Sequence, residues 1–321
     1  MADQSESWRS QLARADELMS RGERAAAATV YARSLSLAPP DQDLPSTDAA
    51  ELARARRTLA ETSGSMEAYL RARLAAAQRT DGAADAASRC DRALDVLFGR
   101  RQLYFQQPQK FYFPDLPQTE FYDPAEFEWT KALIEATNDI AAELAAYLSK
   151  EGDAFEAYVP AQARTAVAGV SPLTGNRDWG ALHFYRDGTP DYDLIERFPA
   201  TMKALSHAPR PDVPTLSPTA LFSRLRPGTH IPPHHGLVNT RLICHLPIIT
   251  PDACALRVGS QTRQWRPGDM LIFDDSIEHE AWNRSDKERV VLLFDIWRPE
   301  LTEDERRFVQ TIFQSVAEFG G

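Results

Sequence analysis

Cysteine is scarce: 321 residues contain three, Cys90, Cys244 and Cys254. So sparse and odd a set supports neither a disulfide framework nor a Cys-ligated zinc site. Long hydrophobic runs are missing as well. The strongest apolar stretch near the C-terminus, Val290 to Phe294, is far too short to cross a bilayer. The opening Met1-Ala2-Asp3-Gln4-Ser5-Glu6 lacks the basic and apolar regions of a secretory leader, so a soluble, cytoplasmic protein is expected. No Lys/Arg block occurs either, and 36 Lys+Arg against 46 Asp+Glu leave a net charge of −10. That balance argues against nucleic acid or an anionic membrane as the main partner. What remains is ordinary globular composition, 43% hydrophobic and 26% charged, at a length that suggests roughly two domains.

The chain divides by composition. Residues 1–100 hold 24 Ala and 3 Pro, and residues 201–300 hold 6 Ala and 11 Pro. Ala favours helix interiors and Pro breaks them, which predicts helices first and strands with loops later. Leu12, Ala15, Leu18 and Met19 recur at helical spacing, Gly22 interrupts, and Ala27, Tyr31, Ser34 and Leu35 resume until Pro39-Pro40. This resembles one tetratricopeptide unit, with Gly22 at the turn and Ala27 and Tyr31 packed between the helices. Further helices are expected from Asp48 through Ala60, from Met66 to Gln78 and from Ala84 to Leu97. A cap or docking platform is the simpler role for this region; a peptide groove usually needs three repeats.

Residues 101–123 are rich in aromatics and broken by Pro, which predicts an extended bridge. A long helix is expected from about Pro124 to Lys150, with Leu133, Ile140, Leu144 and Leu148 on one stripe. Past Pro160, short apolar runs separated by Gly, Pro and Asp read as a β-sandwich or barrel.

All seven histidines lie in the second half, five of them between 230 and 279. Arg266-Pro267-Gly268-Asp269 reads as a turn before an apolar strand, Met270–Phe273. His279 opens a short strand, a polar turn follows at 283–287, and a further strand runs to Trp297. If that turn closes a tight hairpin, His279 and Arg289 lie about 5–8 Å apart. Alternation places Arg289 on one face with Val291, Leu293 and Asp295, and a cation facing inward there needs an anion. His234 and His235 point to opposite faces of a strand, so at most one joins His279 on a metal. Imidazole ligands suit iron, zinc and copper alike, and Gly236 stands where a two-histidine, one-carboxylate site would carry its acid.

The runs Pro227–Gly236 (Pro-Gly-Thr-His-x-x-Pro-His-x-Gly), Asn239–Leu246 (Asn-x-Arg-Leu-x-x-His-Leu), Phe273–Trp282 (Phe-Asp-Asp-Ser-x-Glu-His-Glu-x-Trp) and Asp295–Leu301 (Asp-x-Trp-x-Pro-Glu-Leu) together resemble the aspartyl/asparaginyl β-hydroxylase family. The resemblance implies an α+β chain: a helical, tetratricopeptide-like region over 1–100, then a double-stranded β-helix (jelly-roll) domain over 101–321. It implies a dioxygenase that uses Fe(II), with 2-oxoglutarate and O2 as co-substrates, to hydroxylate an unactivated C–H. His234 and His279 match the iron ligands, and the family shares the Gly at position 236. Arg289 matches the clamp on the distal carboxylate of 2-oxoglutarate. Ser223, His245 and Trp179 match further lining of the co-substrate pocket, and Arg241 matches the group receiving a substrate carboxylate. Asp274 and Asp275 read as hairpin and supporting groups, not as a third ligand.

Ile243 stands where the animal hydroxylases carry a second Arg, and the stretch before Trp179 lacks an obvious counterpart to their upstream arginine unless Arg177 serves. The implied substrate is a small molecule, peptide or protein of Asp/Asn-like or other acidic character, with the helical region offering a protein-docking surface. Two other readings compete. One is a non-catalytic adaptor, favoured by the missing carboxylate ligand. The other is a cupin-type metal protein of different chemistry.

Overall fold

The structure is a computed structural model that describes residues 7–77, 84–161 and 171–319; the opening hexapeptide and Gln78 lie outside the described residues. The chain splits into two compact units, Met1–Gln102 and Leu103–Gly321.

The first unit is helical. Helices α1 (Trp8–Ser20), α2 (Arg24–Leu37), α3 (Ser46–Ala77) and α4 (Ala84–Leu97) follow one another. Ser7 caps α1 by accepting from the Ser10 amide, satisfying one of the donors a helix start leaves free. Gly22 makes the turn with φ +78°, a value that costs glycine little. Trp8, Leu12 and Ala15 of α1 meet Ala27 and Tyr31 of α2 and Leu52 and Ala55 of α3 in one buried cluster. The Tyr31 hydroxyl donates to Asp16 (2.5 Å), which also receives both terminal nitrogens of Arg54. One difference from the sequence pattern stands out: α3 is a single helix of 32 residues, not two segments. Gly64 lies inside it, and an interior glycine costs only about 1 kcal/mol relative to alanine, too little to break a helix held on both sides.

The second unit is built around strands β1 (Phe121–Tyr122), β2 (Glu156–Ala157), β3 (Trp179–Arg186), β4 (Thr189–Pro190), β5 (Ala220–Leu225), β6 (His230–His234), β7 (Arg241–Ile249), β8 (Cys254–Val258), β9 (Gln261–Gln264), β10 (Leu271–Phe273), β11 (His279–Asn283) and β12 (Arg289–Trp297). The larger sheet has the order β1-β10-β7-β12-β5-β3-β2, with β4 beside β3; the smaller is β6-β11-β8-β9. From β5 to β12 the chain passes repeatedly between the two antiparallel sheets. That winding is a double-stranded β-helix, a jelly-roll sandwich.

Alternation along β12 shows how the layers are filled. Val290, Leu292, Phe294 and Ile296 join the outer core, where the larger sheet packs on Leu133, Ile140, Leu144 and Phe198. Val291 and Leu293 face the other way, into the core between the sheets, with Leu221, Ile243, Ile231, Leu256 and Ala281.

The helix expected over 124–150 is divided. A 3-10 turn at Pro124–Glu126, capped by Asp123, precedes α5 (Thr130–Glu135) and α6 (Thr137–Glu151), with a hitch at Ala136 between them. Helices α7 (Tyr192–Ile195) and α8 (Pro199–Leu205) follow β4, and α9 (Glu303–Phe319) closes the chain. Among the described residues no helix is long and apolar enough to cross a membrane.

The aromatic segment before β1 is extended and runs as a strap over two loops of the sandwich. Gln107 N–H donates to Ser276 O, Gln109 N–H to Gly236 O and Lys110 N–H to Leu237 O.

Candidate active site

The expected hairpin between β11 and β12 does not form: β11 belongs to the smaller sheet and β12 to the larger. The intervening turn carries the chain across the sandwich, held by Asn283, whose side-chain amide donates to Leu225 O and Lys287 O. His279 and Arg289 therefore come from different sheets. His279 pairs instead with His234 of β6, and their rings lie 4.0 Å apart, centroid to centroid. His234 Nδ1–H donates to Pro232 O (2.8 Å) and His279 Nδ1–H to Ile277 O (3.0 Å). A carbonyl only accepts, so in each neutral ring the proton sits on Nδ1 and Nε2 keeps a bare lone pair. Burial holds the pKa of His234 below the usual histidine range and that of His279 well below it, which keeps both rings neutral. Two neutral imidazoles fixed through Nδ1 by backbone carbonyls form a pair ready for a metal.

The donor set ends at two. No group of three or more His, Cys, Asp or Glu side chains suited to a metal occurs among the described residues. Gly236, two positions past His234, shows why no carboxylate is there. A Cβ on Gly236 would lie 2.1 Å from Oδ2 of Asp275, so that side chain already fills the space. Burial pushes the Asp275 carboxyl up to about 7, with Arg241 opposing and Asp274 and Asp295 adding to the rise.

Arg289 is 1% exposed and donates through Nη1 to Ser223 O (3.1 Å). Its guanidinium lies 4.6 Å from the Trp265 ring, and burial pulls its pKa down to about 9. The other deeply buried arginines of the sandwich have acids beside them: Arg298 pairs with Asp274 at 2.6 Å, Arg241 with Asp295 at 2.9 Å and Arg224 with Asp153 at 2.7 Å. Arg289 forms no ion pair among the described residues. A buried cation without a counter-charge costs several kcal/mol, and an anion supplied from outside would relieve that cost.

The remaining expected residues surround the same space. Ser223 on β5 is buried between Val291 and Ala181 of its neighbouring strands. His245 on β7 packs edge-on against Phe273 at 5.0 Å, and Phe273 in turn lies 5.8 Å from His279. Trp179 sits 6.3 Å from His234 and stacks on Tyr158 at 4.0 Å. Arg241 is less open than a free substrate clamp. Its Nη1 is committed to Asp295, Ser217 and the Leu216 carbonyl, and Nε is left without a partner. Arg177 donates to the carbonyls of Asp153 and Phe155 and takes no place beside the imidazole pair.

Several contributors carry no signal in the sequence pattern. Trp265 lies between the sheets, donating from Nε1 to His245 Nδ1 (3.2 Å). Tyr158 comes from an irregular segment, and His183 shares the inner face of β3 with Trp179 and Ala181. Ten buried side-chain N or O atoms lack a partner among the described residues, and six surround this space: Trp179 Nε1, both His183 nitrogens, Arg241 Nε, Asp275 Oδ1 and Arg289 Nε. Buried polar groups are rarely left unpaired, so such a concentration marks a place built for a ligand.

The sequence pattern that defines the aspartyl/asparaginyl β-hydroxylases matches residues 135–299, just over half the chain and all of this site. The chain belongs to that family. Human aspartyl/asparaginyl β-hydroxylase is 34% identical over 136 residues, 42% of this chain and 18% of that protein. Ornithine lipid ester-linked acyl 2-hydroxylase of Rhizobium tropici is 33% identical over 201 residues, 62% of this chain and 66% of the other. Mouse aspartate β-hydroxylase domain-containing protein 2 is 29% identical over 211 residues, 65% of this chain and 59% of the other. The chain thus spans less than two thirds of each of these relatives. The match to the family's sequence pattern takes in β2 through β12 but starts after the strap.

Proposed function

We propose that this β-hydroxylase relative is an Fe(II)- and 2-oxoglutarate-dependent dioxygenase that hydroxylates an unactivated C–H. The observation that carries the reading is Arg289, a buried guanidinium without a counter-anion, in the same inter-sheet space as two imidazoles with bare Nε2 atoms. The donor set fits Fe(II), since neutral imidazole is a good ligand for it. When bound, the metal and co-substrates supply the hard chemistry: substrate C–H, 2-oxoglutarate and O2 become C–OH, succinate and CO2.

The protein's share is binding, orientation and exclusion of water. His234 and His279 would hold the metal through Nε2. Arg289 would take the distal carboxylate of 2-oxoglutarate, a planar fork suiting that acid better than an ammonium would. Ser223 and His245 would add contacts to the co-substrate, and Trp179 stacked on Tyr158 would wall the pocket beside His234. An acidic or amide oxygen of the substrate would meet Arg241 at Nε. Asp295 already balances that arginine, so carboxylate and carboxamide would differ less there than at an unpaired cation. Ile243, buried on the inner face beside it, provides apolar contact. The helical unit is proposed as a tetratricopeptide-like surface for a protein partner.

The test is anaerobic titration of the purified protein with Fe(II) and then 2-oxoglutarate, following the visible metal-to-ligand charge-transfer band. The band should appear in the wild type, vanish in His234→Ala and His279→Ala, and need far more co-substrate in Arg289→Ala. A protein that takes up neither metal nor 2-oxoglutarate would refute the reading and leave a non-catalytic adaptor.

A further inference from the structure

Three of the histidines around the inter-sheet space make hydrogen bonds that differ in kind. His234 and His279 each face a carbonyl from Nδ1. His245 faces the indole N–H of Trp265 from the same ring position. An indole nitrogen only donates, so His245 Nδ1 has to accept and cannot carry a proton. Burial, with Arg289 adding to the effect, keeps this imidazole neutral, and its single proton is left on Nε2. One cavity therefore holds two opposite tautomers. Two rings carry bare Nε2 lone pairs suited to a cation, and the third ring carries an Nε2–H donor suited to an anion.

Trp265 has a second contact of the same consequence. The Arg289 guanidinium lies over its ring at 4.6 Å, close enough for a cation–π interaction that a desolvated site strengthens. The indole is 3% exposed and sits at the end of β9, just before the 266–269 turn, so its position is set by both the strand and the core. A single side chain thus holds one donor by its edge and the other by its face.

We propose that Trp265 is a positioning residue for the co-substrate: it fixes His245 as the Nε2–H tautomer and aligns it with Arg289, so that both donors converge on one carboxylate. The convergence on 2-oxoglutarate rests on the function proposed above; the tautomer does not.

The two parts are tested separately. Metal-free protein labelled with 15N in histidine is read by long-range 1H–15N correlation, with the His245 signals assigned as those lost in His245→Gln. Wild type should show the His245 proton on Nε2 and an acceptor-type Nδ1, against Nδ1–H for His234 and His279. A His245 proton on Nδ1 overturns the proposal. Trp265→Phe keeps a ring under Arg289 and removes the N–H. It should shift the His245 Nδ1 resonance and weaken 2-oxoglutarate binding to the Mn(II)-loaded protein by about tenfold or more, the scale of one hydrogen bond to a charged group. Mn(II) affinity without 2-oxoglutarate should change by less than about twofold, because the tautomers of His234 and His279 are set elsewhere. An unmoved resonance, or a moved one with unchanged 2-oxoglutarate affinity, refutes the positioning role. Wild-type protein that binds Mn(II) but no 2-oxoglutarate, while showing the Nε2–H tautomer, fails the proposed function and leaves the tautomer assignment standing.

Discussion

Asp274 is where the stability of the sandwich and the assembly of its site depend most directly on one side chain. Its carboxylate accepts from Arg298 Nη1 (2.6 Å), Gln106 Nε2 (2.7 Å), the Ser276 amide (3.0 Å) and the Ser276 hydroxyl (2.5 Å). Both members of the Arg298 pair are fully buried, at 0% side-chain exposure. Removing one partner of such a pair leaves a buried charge and costs about 3–5 kcal/mol. Arg298 keeps Glu300 at 3.2 Å and the Tyr122 hydroxyl, which places Asp274→Ala near the lower end, about 3 kcal/mol. For a unit of roughly 200 residues that corresponds to a melting temperature lower by about 6–12 °C. Urea unfolding of the full chain, followed by tryptophan fluorescence, measures it. Arg298→Met in the Asp274→Ala background should cost less than the sum of the single changes by about 1–3 kcal/mol, since the stranded charge is then gone. A single-variant loss below about 1 kcal/mol, or strict additivity, would refute this account of the pair.

Two further predictions follow from the same space between the sheets. Burial drops His183 to about 3 in the folded chain, so its contribution to stability is present above the unfolded value near 6.5 and is lost as pH falls toward 3. His183→Gln should make the acid-side fall of urea midpoints shallower by up to about 1.4 kcal/mol per pH unit between pH 6 and 4, and an unchanged slope would count against the burial argument. Gly236→Ala drives a methyl into Asp275, at 2.1 Å from Oδ2, and should destabilise the protein by about 1–3 kcal/mol; unfolding indistinguishable from wild type would show that Asp275 can move aside freely.

How much of this was legible in the sequence depends on the range of the interactions. Alternation along 289–297 identified the inner and outer faces of β12, because side-chain direction in a strand is a local property. The spacing of imidazoles, arginines and glycine carried the family resemblance. Sheet assignment was not local: a polar turn of a few residues can close a hairpin or cross a sandwich, and only the Asn283 contacts with Leu225 and Lys287 decide it. The break at Ala136 was likewise invisible, since Leu133, Ile140 and Leu144 keep their apolar stripe through it. Trp265 and His183 belong to no motif singled out in the sequence, and their importance comes from partners or unpaired atoms that only tertiary packing reveals.

The extended strap has a consequence for where the sandwich can be cut from the chain. Gln106 and Gln107 reach the loop between β10 and β11 at Asp274 and Ser276, while Gln109 bonds the backbone of His235 and Gly236. The Asn239 side chain then receives the Phe113 amide and donates to its carbonyl. The 235–239 and 274–276 loops are thus laced to one another through a stretch of chain that precedes residue 135, where the match to the family's sequence pattern begins. Excising the sandwich at residue 135 would cut the cord that ties together the loops leading from His234 and into His279.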